Sequence, residues 1–149
     1  MKEELYGRWR IAGWYQEYDD GRVVHPFGEK PAGFITYQRP NFMSCTISRA
    51  DRQNFQTGGQ WDADAAEKAA AYDGFMSYCG TFDVEGDEIR HKVELSIFPN
   101  WIGSAQKRKV VMDGDTMELR ARLEAGTAEA RTAILKWTRE SDTAAGGDE

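Results

Sequence analysis

Short extended segments, each closed by a tight turn, recur along almost the whole chain, and this rhythm admits few folds. Tyr6–Tyr18 sets the pattern. Trp9, Ile11, Gly13 and Tyr15 fall on one side of the segment, with Arg8 and Arg10 on the other. Such alternation is the period-two signature of a half-buried strand. Asp19-Asp20-Gly21 turns the chain, because Asp-Gly accepts the positive φ that tight hairpins need. Arg22–Val24 is a short extended piece, and Pro26 and Pro31 stiffen the loop after it. Further strands are expected over 33–38, 42–48, 77–84, 88–98, 104–112, 116–123 and 129–139. Arg39-Pro40-Asn41, Glu85-Gly86-Asp87 and Asp113-Gly114-Asp115 mark turns between them.

Residues 49–61 are polar and carry glycine, which predicts a long loop. Asp64 and Glu67 then have capping-box spacing. The alanine-rich stretch Ala65–Phe75 reads as the one helix, with Gly74 able to end it. Its apolar side, Ala66, Ala69, Ala70 and Phe75, would lie across one barrel opening or along the wall. About eight strands linked mostly by hairpins, with one inserted helix, predict an all-β antiparallel up-and-down barrel over residues 1–140. Residues 141–149 carry no large apolar side chain and are expected to be a disordered tail. A barrel of about eight strands either fills itself with side chains or holds one small ligand.

Composition removes several classes of function. A chain of 149 residues can bury one real core. Its net charge of -6 argues against nucleic acid as a partner, since phosphate binding needs a basic surface. No apolar run approaches the ~20 residues that span a bilayer. The charged start Met1-Lys2-Glu3-Glu4 does not resemble a signal peptide, so the cytoplasm is the expected location. Cys45 and Cys79 form no CxxC pair and read as free thiols. His25 and His91 give neither HExxH nor zinc-ribbon spacing, so no metal is expected. GxGxxG, Walker and GxSxG motifs are absent from the sequence, and no cofactor is expected.

Gly7-Arg8-Trp9, residues 23–37, Phe42-Met43-Ser44, Tyr78–Phe82 and His91–Gly103, taken in this order, resemble the bacterial and fungal lipocalin-like domain family. Gly7-Arg8-Trp9 has the Gly-x-Trp spacing of the first strand of lipocalin barrels. Residues 23–37 and Phe42-Met43-Ser44 are similar to the stretch that follows it. Tyr78-Cys79-Gly80-Thr81-Phe82 resembles the family's Tyr-x-Gly-Thr-Tyr segment, with Phe82 in place of the second Tyr. The segment His91–Gly103 matches most closely and continues through Gln106 and Arg108. Lys92 stands where a second His is common. The resemblance spans roughly residues 5–139 and implies the barrel. It also implies small-molecule binding, with some members suggested as cyclases or isomerases.

Candidate site residues follow from alternation on these strands. His91 shares a face with Ile89, Val93, Leu95 and Ile97, which should point inward. There it would be a general base, a ligand partner or a satisfied core histidine. Glu94 alternates to the opposite face unless a bulge intervenes, and the family likeness keeps it as a second proton-transfer candidate. Gln106 and Arg108 share a face with Val110. An inward Arg108 needs a carboxylate or an anionic ligand, unless it packs on the first-strand Trp, a place Arg139 could equally fill. Trp101, in the loop after Pro99-Asn100, could close a barrel mouth or plug it. Tyr37, Ser44, Tyr72 and Tyr78 offer hydroxyls suited to an apolar pocket. Three functions remain open at this point. One is a binder of a small hydrophobic or amphipathic molecule. Another is a cofactor-free isomerase, cyclase or lyase using His91 and Glu94. The third is a filled barrel acting as an interaction module.

Overall fold

The computed structural model describes residues 1–141. One helical turn, α1 (Lys2–Leu5), precedes β1 (Gly7–Tyr18), β2 (Val23–Val24), β3 (Ala32–Gln38) and β4 (Phe42–Ser48). A loop and α2 (Ala65–Asp73) lead to β5 (Phe75–Glu85) and β6 (Glu88–Ser96). A turn of 3-10 helix at Pro99–Trp101 precedes β7 (Ala105–Asp113), β8 (Thr116–Leu123) and β9 (Arg131–Ser141). Neighbouring strands pair antiparallel in the order β2-β1-β3-β4-β5-β6-β7-β8-β9, and β1 also pairs with β9. That last ladder closes eight strands into the expected barrel and leaves β2 as a short appendage on β1. Closure removes the free sheet edges. The remainder of the predicted tail, 142–149, lies outside the described residues.

The end of the barrel where β1 begins is sealed. Leu5 and Trp9 are fully buried there. The Trp9 indole Nε1 donates to the Leu5 carbonyl at 2.9 Å. Arg139 lies over the Trp9 ring at 4.2 Å and donates to the carbonyls of Glu4 and Tyr6. Arg139, not Arg108, therefore takes the place against the first-strand tryptophan. The Tyr6 hydroxyl donates to the Pro40 carbonyl at 2.5 Å and ties α1 to the β3–β4 turn. Tyr6→Phe is expected to cost about 1 kcal/mol, the usual worth of one such bond, measured as a lowered denaturant midpoint. A midpoint unchanged from the parent would show that this tie contributes nothing.

The opposite end is rimmed by residues 25–31, the 49–64 loop with α2, residues 98–104 and the 124–130 loop. Helix α2 buries none of its residues, and Phe75 proves to be the first residue of β5 rather than its last turn. The predicted capping box does not form. Asp64 makes no side-chain cap bond. The Glu67 carboxylate instead accepts from the backbone N–H groups of Gln56 and Thr57 and from the Thr57 hydroxyl. Those loop donors have no strand partner, and a carboxylate beside them satisfies both at once.

Two bulges reset the inward alternation, because one extra residue moves all later side chains to the other face. Between Ile11 and Gly13 the register against β9 slips, leaving Ala12 unpaired. Trp14, opposite Leu135, then packs on the core, and Tyr15 does not continue the face of Trp9 and Ile11 as expected. Between Val93 and Leu95 the β5–β6 register slips at Glu94. Leu95, expected inside, is 66% exposed. Ser96 takes the position opposite Tyr78.

Candidate functional site

His91 sits in the middle of β6, between Phe82 on β5 and Gln106 on β7. It is the one buried polar or charged residue recorded among the described residues. Both ring nitrogens are occupied. The Tyr37 hydroxyl lies 2.7 Å from Nε2, and the Tyr78 hydroxyl lies 2.8 Å from Nδ1. Tyr37 and Tyr78 reach the histidine because Tyr37 faces inward on β3, and Tyr78 faces inward opposite Cys45. Burial pushes the His91 pKa down from 6.5 to about 3, and the nearby Arg108 cation adds to the effect. The imidazole is therefore neutral at physiological pH. Burial also raises the pKa of both tyrosines, which keeps their hydroxyls protonated. The arrangement is a neutral hydrogen-bonded chain across the barrel interior, suited to orienting a group rather than removing a proton.

Register places the next candidates beside it. Gln106 pairs with His91 and Arg108 with Ile89, so both extend from the inner face of β7 toward the same interior. Both side chains are half-buried. Arg108 donates to the Gln106 amide oxygen at 3.2 Å and to the Lys107 carbonyl at 2.8 Å. Toward the end rimmed by α2, Trp101 stacks edge-on against Tyr78, ring centroids 5.7 Å apart, and against Phe98 at 5.5 Å. Tyr37, Tyr78, His91, Trp101, Gln106 and Arg108 thus gather along one side of the interior.

Glu94 and Ser44 lie apart from this group. Glu94 is the bulged residue of β6 and stays exposed, so the bulge did not turn it inward. Ser44 is exposed between the inward Met43 and Cys45. Tyr72, on α2, is 45% exposed at the rim. Lys92 is on the outer surface, paired with Asp83.

Four residues of the site were not anticipated. Phe82 packs edge-on against Tyr37 at 4.8 Å and holds that ring in place. Cys45 is buried opposite Tyr78, and burial pushes its thiol up to about 12, so it is an inert apolar group. Trp14 and Phe27 meet edge-on at 4.9 Å toward the α2 end. The only sequence signal for Phe82 and Cys45 was their alternation with apolar neighbours. The Trp14–Phe27 contact depends on the β1 bulge and left no signal. Open clefts flank this end. One, of about 480 Å³, is lined by Phe55, Trp61, Tyr72, Phe75 and Ile97 among others. Another, of about 240 Å³, is lined by Tyr78, Leu95, Ser96 and their neighbours. Among the described residues, no three His, Cys, Asp or Glu side chains gather as metal ligands would. No described helix is long and apolar enough to cross a membrane.

The lipocalin-like domain profile matches residues 6–140, nearly the whole described chain. The chain belongs to the lipocalin-like domain family. A carrier protein for 4'-hydroxy-3'-methoxypropiophenone from Aspergillus oryzae is 39% identical over 61 residues, covering 36% of this chain and 55% of its own length. The chain thus spans about half the length of that curated relative. A lipocalin-like protein from Bacteroides uniformis aligns at 15% identity and TM-score 0.49, covering 89% of this chain and 97% of its own. An uncharacterized protein from Bacteroides eggerthii aligns at 14% identity and TM-score 0.42, covering 89% and 98%.

Proposed function

We propose that this lipocalin-like barrel binds and carries one small, largely hydrophobic or amphipathic molecule, admitted at the end rimmed by α2 and residues 98–104. The observation that carries the proposal is a polar cluster set among apolar walls. Tyr37, His91, Tyr78, Gln106 and Arg108 adjoin walls of Ile35, Met43, Phe82, Ile89 and Val93. A mostly apolar lining with a few placed polar groups is what small-molecule sites use: the walls hold, the polar groups orient. Trp101 over Tyr78 supplies an aromatic cover at the mouth. A relative that is a propiophenone carrier supports the same role. The free thiols Cys45 and Cys79 suit a reducing compartment and so a cytoplasmic carrier.

A proton-transfer enzyme draws less support. His91 has both ring nitrogens engaged and its basicity suppressed, and Glu94 lies on the outer side of the wall. The test is mass spectrometry of the purified protein incubated with a metabolite extract of its host. A molecule retained unaltered is the expected result. A metabolite consumed with a new product formed would overturn the carrier in favour of an enzyme. Neither retention nor turnover would leave a filled barrel acting as an interaction module.

A further inference from the structure

The hydrogen bonds around His91 leave one proton over. A neutral imidazole has one N–H donor and one acceptor nitrogen, and each tyrosine hydroxyl has one proton. The three groups therefore bring three protons, but only two hydrogen bonds join them. If Tyr78 donates to Nδ1, then Nε2–H donates to Tyr37, whose own O–H is left free. If Tyr37 donates to Nε2, then Nδ1–H donates to Tyr78, and the free O–H belongs to Tyr78. In either arrangement one buried hydroxyl proton finds no acceptor among the described residues. Tyr37 is packed deep against Phe82, whereas Tyr78 lies beneath Trp101 on the mouth side. The surplus proton is therefore best used at Tyr78.

Arg108 and two indoles repeat the imbalance. Arg108 bonds only a neighbouring carbonyl and the Gln106 amide oxygen, and no ion pair to it is found among the described residues. The strand carboxylates face the outer surface. Asp83 pairs there with Arg90 and Lys92, Glu118 with Arg120, and Glu140 with Arg8. The indole Nε1 atoms of Trp14 and Trp137 are buried with no hydrogen-bond partner. Both residues sit on inward strand positions, opposite Leu135 and Ile11. Unmet buried donors are unfavourable, so an interior with excess donors prefers contents that bring acceptors.

We infer that the cargo presents an acceptor oxygen, a carbonyl or a carboxylate, to the free hydroxyl of the Tyr37–His91–Tyr78 chain, with Arg108 beside it. This rests on the carrier role proposed above and adds the chemical class of what is carried. A plain hydrocarbon of the same shape would leave every one of these donors unmet.

Three ligands on one frame test it: 2-acetylnaphthalene, 2-naphthoate and 2-ethylnaphthalene. Each is titrated against the whole chain by displacement of the neutral dye N-phenyl-1-naphthylamine. The ketone or the acid, or both, should bind about tenfold tighter than the hydrocarbon, the factor one good buried hydrogen bond supplies. A preference for the acid that Arg108→Met abolishes identifies a carboxylate cargo. A preference for the ketone that survives Arg108→Met identifies a carbonyl cargo. The infrared carbonyl stretch of bound 2-acetylnaphthalene should fall below its value in hydrocarbon solvent, and Tyr78→Phe should reverse part of that shift. Equal affinity for all three ligands, with an unshifted carbonyl, would overturn the inference and leave the carrier role standing. Failure of the dye and all three ligands to bind would overturn the carrier role as well.

Discussion

Acidification from pH 7 to pH 4 is expected to destabilise the protein by about 3 kcal/mol through His91 alone. In the folded barrel the His91 pKa is lowered to about 3, against 6.5 for the free side chain. Between those two values the unfolded chain binds a proton that the folded chain refuses, so stability rises with pH across the window. The contribution is fully present above pH 6.5 and is lost as pH falls toward 3. The cause is burial, since the imidazolium would sit in an apolar interior beside the Arg108 cation. His91→Gln keeps a neutral side chain able to donate and accept, and it removes the titration. Denaturant midpoints at pH 7, 5.5 and 4 should show the parent converging on the variant as the pH falls. Parallel curves would show that the histidine titrates normally in the folded state. Asp19, Asp51 and Asp83 have pKa values lowered by their arginine and lysine partners, and their losses at lower pH are common to both proteins.

The barrel was legible because its turns are written in local chemistry. Gly21, Gly86 and Gly114 all adopt positive φ at the turns where the sequence predicts them. Apolar alternation on β4, with Met43, Cys45 and Ile47 inside, was equally plain. Followed strictly, that alternation also puts Ser44 outside, where the structure has it. Alternation likewise put Gln106 and Arg108 on the face of Val110, and pairing with His91 and Ile89 gives that face its direction. The bulges were not legible. A bulge arises from how two strands fit against each other, and neither Ala12 nor Glu94 carries a local signal of it. Leu95 was accordingly placed on the wrong face, and the inward turn of Trp14 was not foreseen. The polar chain itself was also beyond the sequence. His91, Tyr37 and Tyr78 lie on three different strands, and the pairing and curvature of β3 to β6 bring their polar atoms within 3 Å. Which residue plugs the sealed end was open between Arg108 and Arg139 until the N-terminal turn was seen to offer its carbonyls to Arg139.

Gly80→Ala is expected to be among the most damaging single-methyl changes in this protein, costing roughly 3 kcal/mol or more. At the β6 bulge the Lys92 carbonyl leans across the β5 backbone. A Cβ on Gly80 would stand 1.9 Å from that oxygen and 3.0 Å from the Glu94 nitrogen. Both obstacles are backbone, so no side-chain rotation relieves them and the strands must part. The consequence reaches the site, because Gly80 lies two residues from Tyr78, and the bulge sets Ser96 opposite Tyr78. A shift there moves the Tyr78 hydroxyl off Nδ1, and the hydrogen-bonded chain loses the member nearest the mouth. Gly13→Ala is the matched control, since nothing lies within 4 Å of its Cβ position and its change in stability should stay within about 0.5 kcal/mol. Chemical denaturation of both variants, with dye binding measured on whatever folds, separates two outcomes. A large loss confined to Gly80→Ala means that close strand approach at the bulge holds the polar chain together. Equal, small losses would mean the β5–β6 ladder can open at Gly80 without cost, and the placement of Tyr78 would then need another cause.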